Sequence, residues 1–199
     1  YDNLDRKSAE SNPVGTRATW TYDANGNVTL AETSAANRLG YSKFESGTTG
    51  WQVLYNPSNI VAGGSPYSGT SNGKDLFKAE VNATAANQIV SMGNSSSNRF
   101  AVQAGERLSV QAGVEGQGSI NNLTLVVWWF DANGAGIGNS AVGSANGNPG
   151  FDTKIKGFVT APSGAVRAHI EVYGYTSGTG WGALSLTEPT VSTATNSQV

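Results

Sequence analysis

From position 41 onward the apolar residues of this chain come in short runs, and each run is cut off by a cluster of turn-forming residues. The runs fall at 41–44, 51–55, 76–81, 88–92, 99–102, 107–114, 123–130, 155–160, 166–173 and 183–186. Between them lie Gly63-Gly64-Ser65-Pro66, Asn94-Ser95-Ser96-Ser97, Asp131-Ala132-Asn133-Gly134 and Ala161-Pro162-Ser163-Gly164. Several runs alternate apolar and polar residues, the period of a strand with one buried face, and none holds a helical period for a useful length. Short strands punctuated in this way bury apolar surface by stacking sheet on sheet. The expectation is an all-β, antiparallel sandwich.

Composition narrows the partners. Only 13% of the 199 residues are charged, well below the usual quarter, so solubility rests on hydroxyls and amides. Those groups exchange hydrogen bonds with sugar hydroxyls at small desolvation cost. Net charge is -2, and acidic and basic residues balance after position 36. Nothing here builds the positive field that a phosphate backbone requires, so nucleic acid is not expected as a partner. No apolar run is long enough to cross a bilayer as a helix, and no membrane insertion is expected. Cysteine is absent, which removes disulfides, thiolate metal sites and a Cys nucleophile. The chain opens in mid-pattern at Tyr1, as a piece of a larger protein would, with any export signal outside it.

Residues 1–36 read differently. Tyr1-Asp2-Asn3-Leu4-Asp5-Arg6-Lys7 is echoed by Tyr22-Asp23-Ala24-Asn25-Gly26-Asn27-Val28, with Asn12-Pro13-Val14-Gly15 and the alternating Ala18-Thr19-Trp20-Thr21-Tyr22 between. Turn formers flanking alternation indicate stacked β-hairpins. The segment resembles the YD repeats of the Rhs family, which build β-shells in bacterial surface and toxin-delivery proteins. Three stretches of sequence are therefore expected: a YD-repeat remnant at 1–36, a β-sandwich at 37–190 and a small polar linker at 191–199.

Within 37–190 an ordered set of motifs recurs: Phe44-Glu45-Ser46-Gly47 with Gly50-Trp51, then Ser71-Asn72-Gly73-Lys74-Asp75-Leu76, then Ala104-Gly105-Glu106-Arg107-Leu108-Ser109-Val110, then Trp129-Phe130-Asp131-Ala132-Asn133-Gly134. In order and spacing these resemble jelly-roll carbohydrate-binding modules of the kind attached to xylanases and glucanases. The resemblance implies a jelly roll, polysaccharide binding and a structural calcium ion. Glu45 matches the calcium-ligating Glu of those modules, and the Lys74 region would supply backbone carbonyls. The late Asp of the pattern is replaced near Gly182-Ala183, which removes one carboxylate. Asp131-Ala132-Asn133-Gly134 resembles part of a calcium loop but lacks the distal Glu, and a hairpin turn explains it better.

Strand parity sorts the side chains by face. Leu108, Val110 and Ala112 share one side and Arg107, Ser109 and Gln111 the other. Ile155 and Val159 oppose Lys154, Lys156 and Phe158. Val166, Ala168, Ile170 and Val172 oppose Arg167, His169, Glu171 and Tyr173. Leu125, Val127 and Trp129 form the better core set, leaving Thr124, Val126 and Trp128 outward. Trp128 and Trp129 are neighbours, so both cannot enter one core; the outward ring is either covered by a loop or offered to a ligand. If these strands share a sheet, its open face carries Trp128, Tyr173, His169, Arg167, Glu171, Lys154, Lys156 and Gln111. Aromatic rings stack on the apolar faces of pyranoses, and the cations would select uronic or sulfated chains through charge-assisted hydrogen bonds, or simply solvate the sheet. Tyr55, Tyr67, Tyr175 and Trp181 offer a second site at the rim.

The resulting expectation is a non-catalytic polysaccharide-binding module, monomeric when isolated, within a secreted or cell-surface protein. Two alternatives stay open. His169 with Tyr173 could abstract a proton α to a uronate, as polysaccharide lyases do. The domain could also be a structural spacer or adhesin of an Rhs-type surface protein.

Overall fold

The computed structural model describes residues 9–11, 17–22, 24–25, 28–34, 37–40, 42–44, 47–55, 61–62, 67–71 and 73–194. Side chains are described at 24–25 and, within 37–194, at the described positions other than 55, 61–62 and 67–71. At the N-terminus β1 (Ala9–Ser11), β2 (Arg17–Tyr22) and β3 (Val28–Ser34) form a three-stranded antiparallel sheet of their own. The alternating stretch around Trp20 is the central strand, paired with β1 on one side and β3 on the other.

The remaining strands are β4 (Trp51–Tyr55), β5 (Val61–Ala62), β6 (Tyr67–Ser71), β7 (Lys74–Ala83), β8 (Ile89–Asn94), β9 (Phe100–Ala101), β10 (Arg107–Gly118), β11 (Ile120–Phe130), β12 (Gly136–Ala145), β13 (Thr153–Thr160), β14 (Arg167–Thr176) and β15 (Gly180–Thr193). They make two antiparallel sheets. The first runs β12-β11-β14-β8-β4 with β9 beside β14; the second runs β13-β10-β15-β7-β5 with β6 beside β7. The chain changes sheet between β4 and β5, β7 and β8, β9 and β10, β10 and β11, and at every step from β12 to β15. This is the antiparallel jelly-roll sandwich the punctuated pattern implied.

The two inner faces supply the core. Leu108, Val110 and Ala112 of β10, Leu125, Val127 and Trp129 of β11, and Ala168, Ile170 and Val172 of β14 are all buried, as their parity requires. Trp129 places its ring inside and still satisfies its indole, because Nε1 donates to Ser140 Oγ at 3.0 Å. Removing a fully buried aromatic of this kind costs about 3–5 kcal/mol. The opening motif also turns inward: Phe44 meets Trp51 edge-on at 5.2 Å and stacks on Phe77 at 6.0 Å.

The structure corrects several boundaries. Val166 precedes β14 and is exposed, because its N–H bonds to the Phe130 carbonyl and its own carbonyl to Val102. The expected strand at 41–44 is not one: Ser42 and Lys43 lie in a turn, and Phe44 has φ 58°. The sandwich does not stop at 190. β15 continues to Thr193, pairing Val191 with Val110 and burying it completely. Asn37 ties the start of the domain to this stretch, its Oδ1 accepting from Val191 N at 2.9 Å and its Nδ2 donating to Pro189 O at 2.8 Å. A small polar composition disguised an interior strand as a linker. β12 was likewise unannounced, since Gly136–Ala145 is a half-exposed edge strand made mostly of glycine, alanine and serine, with only Ile137 and Val142 as larger apolar residues.

Candidate functional site

Outward-facing residues of the first sheet line a groove of about 490 Å³. The strands contribute in turn: Leu54 from β4, Ile89 from β8, Glu171, Tyr173 and Tyr175 from β14, Val126 and Trp128 from β11, and Asn139 from β12. Register explains the assembly. Val126 is opposite Glu171, and Tyr173 lies between Thr124 and Ser91. Tyr173 and Tyr175 meet edge-to-face at 5.8 Å, a favoured aromatic geometry that fixes both rings. Gly93 keeps the floor low, because a Cβ there would lie 2.7 Å from Leu54 Cδ1 and 2.3 Å from the Ile170 carbonyl oxygen.

The polar groups of this groove are incompletely used. Trp128 Nε1 and Ser91 Oγ are buried and make no hydrogen bond of good geometry. Both face the Glu171 carboxyl. Burial pushes that carboxyl above the ordinary Glu range, and the nearby Ser91 hydroxyl and Trp128 indole only partly offset the rise. The groove therefore offers flat rings for apolar sugar faces beside the Glu171 carboxyl, the Asn139 amide and the tyrosine hydroxyls for the edges.

Not all of the expected open-face set is here. Trp128, Tyr173 and Glu171 line the groove, and Tyr175 joins them from the group expected at the rim. Gln111, Lys154 and Lys156 are on β10 and β13, strands of the second sheet, so they face away from the groove. The premise that these strands share a sheet with β11 and β14 was the error; alternation assigns a face but not a sheet. Lys154 is engaged there by Asp152 Oδ1 at 2.6 Å.

His169 has the expected outward parity but is buried, its ring centroid 5.1 Å from that of Phe130. The Arg99 guanidinium carbon lies 3.3 Å from the Phe130 ring centroid and covers this cluster. Burial, then the Arg99 charge, hold the imidazole at a pKa of about 4, so it is neutral near pH 7. Arg167 is exposed at the start of β14, opposite Phe130 and four residues from Glu171. Trp181 is exposed on the second sheet, with Lys78 Nζ 5.6 Å from its ring. The side chains of Tyr55 and Tyr67 lie outside the described residues. Leu54, Ile89 and Asn139 escaped the sequence reading. Leu54 shares the parity of exposed Gln52 on its strand, whereas Ile89 shares that of buried Ser91 and Gly93, and β12, which carries Asn139, has too few apolar residues to announce a strand.

The Lys74 side chain is held in an ion-pair cluster. Its Nζ donates to Asp152 Oδ2 at 2.6 Å and Glu188 Oε2 at 3.0 Å, and these bonds raise its pKa. Asp152 also accepts from Lys154 at 2.6 Å and Thr187 Oγ1 at 2.6 Å. Burial alone would raise the Asp152 pKa, but the bonds from Lys154, Lys74 and Thr187 outweigh it and bring it down to about 2. Gly113 makes this cluster possible, since a Cβ there would fall 2.0 Å from Asp152 Oδ1 and 2.1 Å from Thr187 Oγ1. Among the described residues no group of three or more His, Cys, Asp or Glu could hold a metal ion. Glu45, the expected calcium ligand, lies outside the described residues. Asp131 is committed to its own turn, its Oδ1 accepting from Asn133 N and Ala135 N at 2.9 Å each.

No family model and no curated protein matches the chain. Its fold does resemble solved structures at low identity. The CBM22-1 and GH10 modules of a Clostridium thermocellum endo-1,4-β-D-xylanase, complexed with xylohexaose, align at TM-score 0.54 and 16% identity over 79% of this chain. The CBM22-1 xylan-binding domain of a Paenibacillus barcinonensis protein aligns at TM-score 0.51 and 16% identity, over 80% of this chain and 96% of that one. The enzymatically active domain of tailspike protein 4 of bacteriophage CBA120 aligns at TM-score 0.54 and 12% identity over 79% of this chain. This chain spans only 28% of the xylanase chain and 21% of the tailspike chain. At such identities the likeness establishes the sandwich fold.

Proposed function

We propose that this domain binds a polysaccharide, without acting on it chemically, in the groove of the first sheet. One observation carries the reading: the rings of Trp128, Tyr173 and Tyr175 converge on a single groove that Glu171 and Asn139 line with them. Concave aromatic sites with a few polar groups are the usual form of small-ligand sites, and the xylan-binding domain of the same fold supports a glycan as the ligand. The lyase alternative loses its geometry, because His169 is sealed beneath Phe130 and Arg99 while Tyr173 lies in the groove. Hydrolysis of a glycoside by acid and base needs a pair of carboxyl groups, and Glu171 is the one carboxyl lining the groove among the described residues.

Affinity electrophoresis against a panel of soluble polysaccharides tests the reading. At least one should retard the protein, and Trp128→Ala should lose that retardation while keeping the fold. No retardation across the panel would leave the spacer or adhesin reading in its place.

The surroundings of the module belong to the same proposal: a YD-repeat segment at 1–36, and a secreted or surface-attached parent protein. Among the described residues no helix is long and apolar enough to cross a membrane. A calcium ion bound through Glu45 is proposed separately, and the function does not depend on it. If calcium is bound, a chelator will lower the melting temperature; an unchanged melting curve removes the ion.

A further inference from the structure

We propose that Glu171 makes the groove selective for uncharged polysaccharide chains, so that uronic and sulfated chains are rejected. The inference rests on the glycan-binding reading and reverses the acidic preference that the sequence suggested.

The first support is placement. Glu171 lines the groove together with Trp128 and Tyr173, the two rings expected to carry the sugar. No lysine or arginine lines it with them among the described residues. Lys154 and Lys156 belong to the other sheet, and Lys154 is held by Asp152. Arg99 is spent on the Phe130 ring and on the Gly134 carbonyl at 3.2 Å. Arg167 is exposed four residues along β14, roughly 13 Å away by strand rise.

The second support is what a charged ligand would meet. Glu171 is half-buried and its carboxyl is already penalised by burial. A uronate carboxylate or a sulfate beside it has two options. It can suffer repulsion in a partly desolvated site, where charges interact more strongly than in water. Alternatively, it can force Glu171 to take up a proton. Each option costs free energy that an uncharged chain avoids. A neutral sugar instead donates a hydroxyl to the carboxylate and brings no charge of its own into the groove.

Matched polymers test this. Hydroxyethylcellulose and carboxymethylcellulose share a backbone, as do arabinoxylan and glucuronoxylan. Affinity electrophoresis at pH 8, well above the ordinary carboxylate range, gives the ratio of neutral to charged affinity within each pair. The wild type should favour the neutral member about tenfold or more, and Glu171→Gln should bring the ratio to within about twofold. Taking the ratio cancels any general change in affinity caused by the substitution. An unchanged ratio in Glu171→Gln, or a wild type that prefers charged members, overturns the inference while leaving glycan binding intact. Retardation by no member of any pair overturns the glycan-binding reading and this inference with it.

Discussion

The two outer faces of the sandwich obey the same alternation rule and come to opposite ends. On the second sheet the outward polar groups satisfy one another: Lys74 and Lys154 share Asp152 and Glu188, Lys78 holds Glu80 at 2.8 Å, and Gln117 donates to Glu115 at 2.7 Å. On the first sheet the outward groups converge instead: Trp128, Glu171, Tyr173 and Tyr175 line one groove. The exposed aromatics of the second sheet, Phe158 and Trp181, each have a cation over the ring, Arg107 and Lys78. A face whose groups occupy one another is finished as a surface; a face whose rings share an open groove can take a ligand.

The sharpest test of that contrast removes the groove's central ring. Trp128→Ala should reduce glycan affinity by about 3 kcal/mol, more than a hundredfold, with little change in melting temperature because the ring stands outside the core. Lys156→Ala and Gln111→Ala, on the opposite face, should leave affinity unchanged. A loss of binding in either of those would break the comparison.

Gly113→Ala attacks the other face. Its Cβ would intrude on both Asp152 and Thr187, so the cluster must come apart, at a cost of about 2.5 kcal/mol by overpacking. The melting temperature should fall by roughly 5–10 °C for a domain of this size, while glycan binding measured below the transition persists.

Acid should distinguish the faces by their pH windows. The folded pKa of His169 is depressed to about 4, so the unfolded chain takes up the proton first and stability declines as pH falls from about 6.5 through 4. Between pH 7 and pH 5 the loss should be about 2 kcal/mol in denaturant titrations. His169→Phe should abolish that slope without weakening the protein at pH 7. The Asp152 contribution is present above the unfolded value of 3.8 and lost only as pH falls through about 2. A slope confined to the lower window would place the acid sensitivity on the second face alone.

The smallest effect expected is that of Lys74→Met. Its Nζ is exposed and its ion pairs are screened by solvent, so the melting temperature should barely fall, and high salt should erase the difference.

Much of this molecule is legible in its amino-acid pattern. The division of Trp128 from Trp129 follows from adjacency on a strand, and the inward sets on β10, β11 and β13 follow from period-two alternation. Where the pattern misleads, the signal is absent or shared. β12 has too few apolar residues to announce a strand, although it supplies Asn139 to the groove. The stretch from Val191 to Thr193 looks like linker because threonine and serine suit both a tail and a strand. His169 carries the correct parity, yet nothing local predicts that Phe130 and Arg99 close over it.

By itself the sequence determined most of the strands, most of the turns and which side of those strands is apolar, because these depend on neighbours one or two positions away. Only the tertiary structure decided which strands lie together in a sheet. That choice separated Lys154, Lys156 and Gln111 from Trp128 and Tyr173, and left Glu171 in the groove without a lysine or arginine beside it among the described residues. The reason is physical: side-chain alternation repeats identically in every strand, whereas sheet membership is set by hydrogen bonds between residues far apart in the chain, and alternation carries no record of them.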